Sequence, residues 1–125
     1  MSDIDLGQDD LYLLLDMMYE RKYSRKSFLL NAEECWHKLF YIQRGLIRLF
    51  YIDVEGRAFN KAFFAEGQTI WPVAPRDRND SVLFNIAAIE ATTVLEFSFT
   101  DLYQLLQRLG KWEKFALPFA EILVE

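Results

Sequence analysis

The sequence predicts a mainly β fold, built from short antiparallel strands in a sandwich or barrel. Three glycines, Gly45, Gly56 and Gly67, lie eleven residues apart, and glycine supplies the positive-φ backbone that tight turns need. The segments between them, Leu46–Ile52 and residues 59–64, have the length of strands and are rich in apolar and aromatic side chains. Turn signals at this spacing are typical of all-β sandwiches and barrels.

Size and composition fit one domain with a single core. The chain has 125 residues, of which 52% are hydrophobic and 16% aromatic, which is enough apolar material for a compact β core. Its net charge is −5 at pH 7. A nucleic-acid-binding domain normally carries a basic face, so this chain by itself is a poor candidate for one.

The cysteine content and the N-terminus indicate a soluble, cytoplasmic protein. A single cysteine, Cys35, excludes an internal disulfide and offers no framework for a zinc or iron–sulfur site. No apolar run approaches the roughly 20 residues of a membrane helix. Residues 1–10 are acidic and lack the features of a secretory signal.

The N-terminal part predicts an amphipathic helix. Two acids suited to capping, Asp9 and Asp10, precede apolar residues at helical spacing, which are Leu11, Leu14, Leu15 and Met18. Four cations follow, which are Arg21, Lys22, Arg25 and Lys26. We interpret them as the solvated end of this helix, where cations suit the negative end of the dipole. The alternative is a patch that binds an anion or a partner.

A succession of short strands follows the helix. In order, we expect strands at Phe28–Leu30, 39–42, Leu46–Ile52 and 58–64, with turns at 31–34, 43–45, 53–56 and 65–67. Leu46–Ile52 is apolar at nearly every position, with Arg48 as the exception. Such a run is typical of a strand that is buried on both faces, in the middle of a sandwich.

The stretch 72–81 interrupts the strand pattern. It is rich in proline and charge, so we expect a loop. Strands resume at 82–89 and 92–99. In the second of these, Leu95, Phe97 and Phe99 share one face, while Glu96 and Ser98 take the other, which is the alternation of a half-exposed strand.

Two helical segments close the chain. Thr100 opens the first, whose apolar stripe is Leu102, Leu105, Leu106 and Leu109, and Gly110 is suited to end it. The second has an apolar seam interrupted by Pro118, and the seam consists of Trp112, Phe115, Phe119 and Ile122. This seam is our candidate for a subunit interface; the alternative is that it packs on its own domain. Because the pattern still runs at Glu125, we expect a longer native protein.

Several motifs together resemble a known family. They are Leu39-Phe40-Tyr41-Ile42-x-x-Gly45-x-Ile47-x-Leu49, Asp53-x-x-Gly56-Arg57, Phe64-x-x-Gly67, Ile86-x-Ala88 and Val94-Leu95-Glu96-Phe97. With the order of elements, this pattern resembles the cyclic-nucleotide-binding domain, and in particular the sensory domain of bacterial Crp/Fnr-type transcription regulators, over residues 29–109. The resemblance implies a double-stranded β-helix, or jelly-roll, barrel with flanking N- and C-terminal helices.

The family's ligand site is altered in this sequence. The resemblance implies a cassette after the third glycine, with a Gly-Glu pair that contacts ribose and a later Arg-Ser or Arg-Thr pair that holds the cyclic phosphate. Here Trp71-Pro72 and Val82-Leu83 stand at those two positions. A buried phosphodiester needs a guanidinium fork and N–H donors, proline removes a donor, and tryptophan fills space. We therefore expect no binding of cyclic nucleotides.

Several further residues are candidates for a functional site. The predicted lining of any pocket is Trp71, Arg76, Arg78, Ser81 and Phe84, with the alternative that Trp71 plugs the vestigial site. His37 and Cys35 are interpreted as surface and semi-buried residues, and the adjacent acids Glu33 and Glu34 point apart on an extended segment. Glu33 also stands where the family often has glycine. No nucleophile–base pair, Walker loop or metal-ligand spacing appears, so we expect neither an enzyme nor a cofactor.

The resemblance implies a regulatory role. We expect residues 1–125 to form one sensory domain, with a core of about 11–110 and the start of a dimerisation helix at 111–125. Contact with DNA would come only from a domain beyond Glu125, in a homodimer that senses an unidentified small molecule or none. One alternative is a stand-alone interaction module without a DNA-binding role. Another is an enzyme of the related cupin barrels, which needs a cluster of histidine and carboxylate ligands where this chain has one histidine.

Overall fold

Eight strands and a helix that follows them account for most of the described chain. The structure, a computed structural model, describes residues 13, 15–72 and 81–114. The strands are β1 (Met18–Tyr23), β2 (Phe28–Leu30), β3 (Lys38–Arg44), β4 (Leu46–Ile52), β5 (Ala58–Ala65), β6 (Thr69–Ile70), β7 (Asn85–Ala88) and β8 (Thr92–Ser98), and helix α1 is Phe99–Arg108. No helix among the described residues is long and apolar enough to cross a membrane.

The strands form two antiparallel sheets of four. The first sheet has the order β1-β8-β3-β6 and the second the order β2-β7-β4-β5. The predicted mainly β architecture is confirmed. Strand β4 lies inside its sheet, between β7 and β5, but the predicted burial on both faces is wrong, since only Ile47 and Phe50 are buried and Ile52 is exposed. The two sheets do not close into a barrel. The predicted barrel is therefore better described as a jelly-roll-like pair of sheets.

Apolar side chains from both sheets fill the space between them. This inner core consists of Leu30, Trp36, Phe40, Ile42, Ile47, Ile70, Val82, Phe84, Ile86, Ala88 and Val94. Because successive side chains of a strand point to opposite faces, residues such as Leu39 and Phe97 point away from the inner core. They form an outer core with helix α1, made of Leu39, Trp71, Phe97, Phe99, Leu102 and Leu106.

The three glycines occupy the turns that the spacing predicts. Gly45, Gly56 and Gly67 have φ angles of +115°, +82° and +87°, which an L-residue adopts only with strain. At Gly45 there is also no room for a side chain, since an added Cβ would lie 2.7 Å from the Cα of Thr92. This close approach joins the start of β4 to the start of β8.

The predicted N-terminal helix is wrong in its second half. Among the described residues that precede β1, helical backbone is found at Leu13, Leu15 and Asp16, and β1 begins at Met18. Strand β1 pairs with β8 over all six of its residues, so long-range pairing overrides the local helical pattern. Arg21 and Lys22 consequently lie in a strand and not at a helix end. Asp9, Asp10, Leu11 and Leu14 fall outside the described residues.

The later boundaries shift by a few residues. The strand predicted at 82–89 is shorter and covers Asn85–Ala88. Helix α1 begins at Phe99 and not at Thr100, because the side chain of Ser98 caps it by accepting the Asp101 N–H. Its predicted end is confirmed. Gly110, with φ +70°, belongs to a Schellman motif in which the Lys111 N–H donates to the Leu106 carbonyl at 2.8 Å.

Candidate functional site

The segment at Val82 and Leu83, which the sequence resemblance aligns with a phosphate clamp, is hydrogen-bonded to the turn after β2. The Glu33 N–H donates to the Val82 carbonyl at 2.7 Å, and the Val82 N–H donates to the Glu34 carbonyl at 2.9 Å. An isolated antiparallel bridge between Cys35 and Ser81 extends this pairing. The backbone N–H of Val82 therefore bonds to protein.

The side chains of Val82 and Leu83 are apolar. Val82 is 1% exposed and belongs to the inner core, whereas Leu83 is 76% exposed. Neither can supply the charge-assisted hydrogen bonds that a buried phosphate requires. Of these two residues, Val82 contributes to the inner core and Leu83 faces solvent.

Aromatic rings occupy the inner core beside Val82. The ring of Phe84 makes edge contacts with Trp36 at 5.5 Å and with Tyr51 at 6.0 Å between centroids. The Nε1–H of Trp36 is buried and has no hydrogen-bond partner among the described residues. This end of the inner core is therefore aromatic, with an indole N–H as a buried polar group.

Trp71 lies on the other side of the first sheet. It is 3% exposed and stacks on Phe99 at 5.5 Å with an interplanar angle of 12°. Trp112 meets both rings edge-on, at 5.5 Å from Trp71 and 5.8 Å from Phe99. We call these three residues the aromatic stack. Trp71 and Phe84, which the sequence suggested as parts of one pocket lining, thus belong to different cores.

Of the remaining predicted site residues, the structure describes only Ser81 and Trp112. Ser81 is exposed at the start of the segment that leads to β7. Trp112 is half-buried and also packs on Tyr103 at 4.5 Å, within its own chain. The rest lie outside the described residues, and these are Arg76, Arg78, Phe115, Phe119 and Ile122. The pocket lining and the subunit interface stay predictions.

The polar residues of the turn after β2 have structural roles. Glu33 adopts a φ of +75°, so the turn keeps the left-handed backbone for which the family often uses glycine. The Glu34 carboxylate accepts the backbone N–H of Asn31 at 2.6 Å, and this hydrogen bond lowers the pKa of Glu34. His37 is exposed, and its carbonyl accepts the N–H of Phe99. Within residues 13, 15–72 and 81–114, no three acids, histidines or cysteines group as a metal site would require.

Sequence patterns did not reveal a buried carboxylate at Glu96. Glu96 is 3% exposed, so its predicted half-exposed face is wrong. It accepts the hydroxyl proton of Tyr23, and the Nζ of Lys38 and a guanidinium nitrogen of Arg21 lie 3.3 and 3.8 Å from its Oε2. Burial, together with the hydrogen bond to Glu96, raises the pKa of Tyr23. The sequence does contain a signal for this burial: Glu96 lies two residues from the apolar Val94 and therefore on the same face of the strand.

Comparison of the structure with solved structures identifies the fold. The Catabolite Activator Protein of Thermus thermophilus superposes with a TM-score of 0.74 at 20% identity, over 94% of this chain and 55% of that chain. The N-terminal domain of a transcriptional regulator from Streptomyces coelicolor A3(2) gives 0.70 at 17% identity, over 94% and 84%. The regulatory subunit of a cAMP-independent protein kinase A from Trypanosoma brucei gives 0.68 at 13% identity, over 91% and 45%.

These similarities establish a cyclic-nucleotide-binding-like fold. The chain spans about half the length of the Thermus and Trypanosoma proteins. All three neighbours are regulators or regulatory subunits rather than enzymes. No protein-family model matches the sequence, and no curated protein is similar to it in sequence.

Proposed function

We propose that this chain is the effector-sensing domain of a Crp/Fnr-like transcription regulator whose interior nucleotide site is degenerate. The fold that it shares with the Thermus activator and the Streptomyces regulator domain supports the regulatory role. The observation that supports the degenerate site is the burial of Val82 in the inner core, because the sequence resemblance aligns Val82 with the family's arginine. A cyclic phosphate at that place would lose its hydration without gaining a charged partner.

The sensing mechanism would use the contacts between the first sheet and the C-terminal helices. The aromatic stack joins Trp71, which follows β6, to Phe99 in α1 and to Trp112 beyond it. An effector that favours one arrangement of these rings would shift the population of helix positions. In a dimer that pairs through the seam at Trp112, Phe115, Phe119 and Ile122, this shift would re-space two DNA-binding domains over their half-sites.

Binding of cyclic AMP tests the degenerate site. A ligand at about 100 times its dissociation constant stabilises a native protein by roughly 2.7 kcal/mol, which is several degrees of melting temperature for a domain of this size. We expect no shift of the melting temperature and no heat of binding when cyclic AMP is added at a concentration about 100-fold above a micromolar dissociation constant. A saturable titration with a micromolar dissociation constant would overturn the proposal.

The reading frame downstream of Glu125 tests the role in transcription. A helix-turn-helix segment there would support it, and a stop codon directly after Glu125 would contradict it. The second candidate is an interaction module without a DNA-binding role, which the similarity to the Trypanosoma kinase regulatory subunit favours. The same sequencing result distinguishes the two, because only the regulator requires a DNA-binding domain.

A further inference from the structure

A polar cleft lies on the first sheet, at the ends of β1 and β3 next to the start of β8. Its volume is about 610 Å³, which is within the range of pockets that bind small molecules. The residues that line it are Glu20, Lys22, Tyr23, Gln43, Arg44, Ala91, Thr92 and Thr93. None of them belongs to the buried residues of the inner core or the outer core. We call it the anion cleft, for the reasons that follow.

Strand register aligns two cations with a hydroxyl group. Lys22 of β1 and Arg44 of β3 both pair with Thr93 of β8, which lies between those two strands. A register shift between Ile42 and Arg44 leaves Gln43 as the extra residue, so Arg44 takes the position opposite Thr93. Adjacent strands are about 4.8 Å apart, so long cationic side chains on both flanks can reach one group held above Thr93.

Within the described residues, neither cation of the cleft forms an ion pair. In the described part of the chain, Lys22 and Arg44 take part in none of the ion pairs, which instead engage Arg21, Lys38 and Arg57. The Glu20 carboxylate also lines the cleft without an ion pair there. The charged lining is thus two cations and one acid, in a chain whose net charge is −5.

The floor of the cleft is held in place by the strand ends. Thr92 is 2% exposed, and its hydroxyl donates to the Glu90 carbonyl at 2.8 Å. The Leu46 N–H donates to the same hydroxyl at 3.3 Å. Because sites built on paired strands keep their geometry better than sites on loops, the backbone of Thr93 offers a fixed support.

We propose that the anion cleft binds a small molecule through its phosphate or carboxylate group. The Arg44 guanidinium and the Lys22 ammonium hold the anion, and the Thr93 hydroxyl donates a further hydrogen bond. Glu20 accepts a hydrogen bond from a hydroxyl or amino group on the same ligand. The anion cleft is separate from the proposed interior site. A test of binding in the cleft is therefore independent of the proposed role in transcription.

An NMR titration of the full chain tests the proposal. Inorganic phosphate and citrate are added separately at constant ionic strength, set with chloride, while backbone amide shifts are followed. We expect saturable shifts centred on Lys22, Arg44 and Thr93. Saturation by phosphate alone indicates a phosphate ester as the ligand, and saturation by citrate alone indicates a carboxylate. Shifts that stay linear through the millimolar range for both probes would overturn the proposal.

Variants identify the residues responsible. Arg44→Gln and Lys22→Gln should each weaken binding by about tenfold or more, because each removes a charge-assisted hydrogen bond. Arg108→Gln is the matched control, since it removes an exposed cation from the last turn of α1. If the control weakens binding as much as the two cleft variants, the effect is general charge attraction and the site is refuted. Lys22 and Arg44 are both exposed, so the fold tolerates their loss.

Discussion

Replacing Gly45 by alanine tests the contact that joins β4 to β8. The substitution has two separable costs. The φ of +115° is unfavourable for an L-residue by about 1–2 kcal/mol. In addition, the new Cβ would lie 2.7 Å from the Cα of Thr92, so backbone must move, and overpacking of this kind costs about 1–3 kcal/mol. The expected loss is therefore about 2–5 kcal/mol of the free energy of unfolding.

Gly56→Ala is the matched control. Gly56 also has a positive φ, of +82°, but an added Cβ there would meet nothing within 4 Å. It should lose only the conformational part, about 1–2 kcal/mol. Urea unfolding followed by tryptophan fluorescence measures both variants, and the comparison is valid where the m-values agree. Equal destabilisation by the two substitutions would refute the reasoning, because the close approach to Thr92 would then contribute nothing.

Three further outcomes are expected. Trp71→Ala should lower the free energy of unfolding by about 3–5 kcal/mol, measured by urea unfolding, and Trp71→Phe should recover much of this by keeping a ring on Phe99. The pKa of Tyr23 is raised in the folded state, so the contribution of this residue to stability is complete below its ordinary pKa of 10.0 and is lost as the pH rises beyond that value. The Tyr23→Phe variant should therefore lose less stability at alkaline pH. An unchanged dependence of the free energy of unfolding on pH would contradict this. Phe119→Asp should convert a dimeric sample to monomers in sedimentation velocity, whereas Leu83→Asp, at an exposed position, should not; an unchanged mass for Phe119→Asp excludes the seam as the interface.

Sequence reasoning succeeded where local chemistry decides the structure. The turns at Gly45 and Gly56 and the end of α1 at Gly110 each depend on one residue that tolerates a positive φ. The strand Leu46–Ile52 was predicted with its observed bounds, because a continuous apolar run between two turns leaves little choice.

Sequence reasoning failed where distant partners decide the structure. Strand β1 exists because Met18 pairs with Phe97 and Tyr23 with Thr92, and no local pattern reports pairing across such a separation. The burial of Glu96 depends on two other strands, which supply Tyr23 and Lys38. The separation of Trp71 from Phe84 likewise depends on which side of a sheet each segment crosses, and composition does not encode that choice.

The left-handed turn at Glu33 has a consequence for local opening of the fold. Its φ of +75° stores about 1 kcal/mol of conformational energy, and two backbone hydrogen bonds to the segment at Val82 hold it there. Once those bonds break, the stored energy is released and opposes their re-formation. The amides of Glu33 and Val82 should therefore exchange with solvent as one cooperative unit, at a lower free energy than global unfolding. Because Glu33, and not glycine, holds this left-handed turn, we expect the segment to open more readily than the rest of the domain.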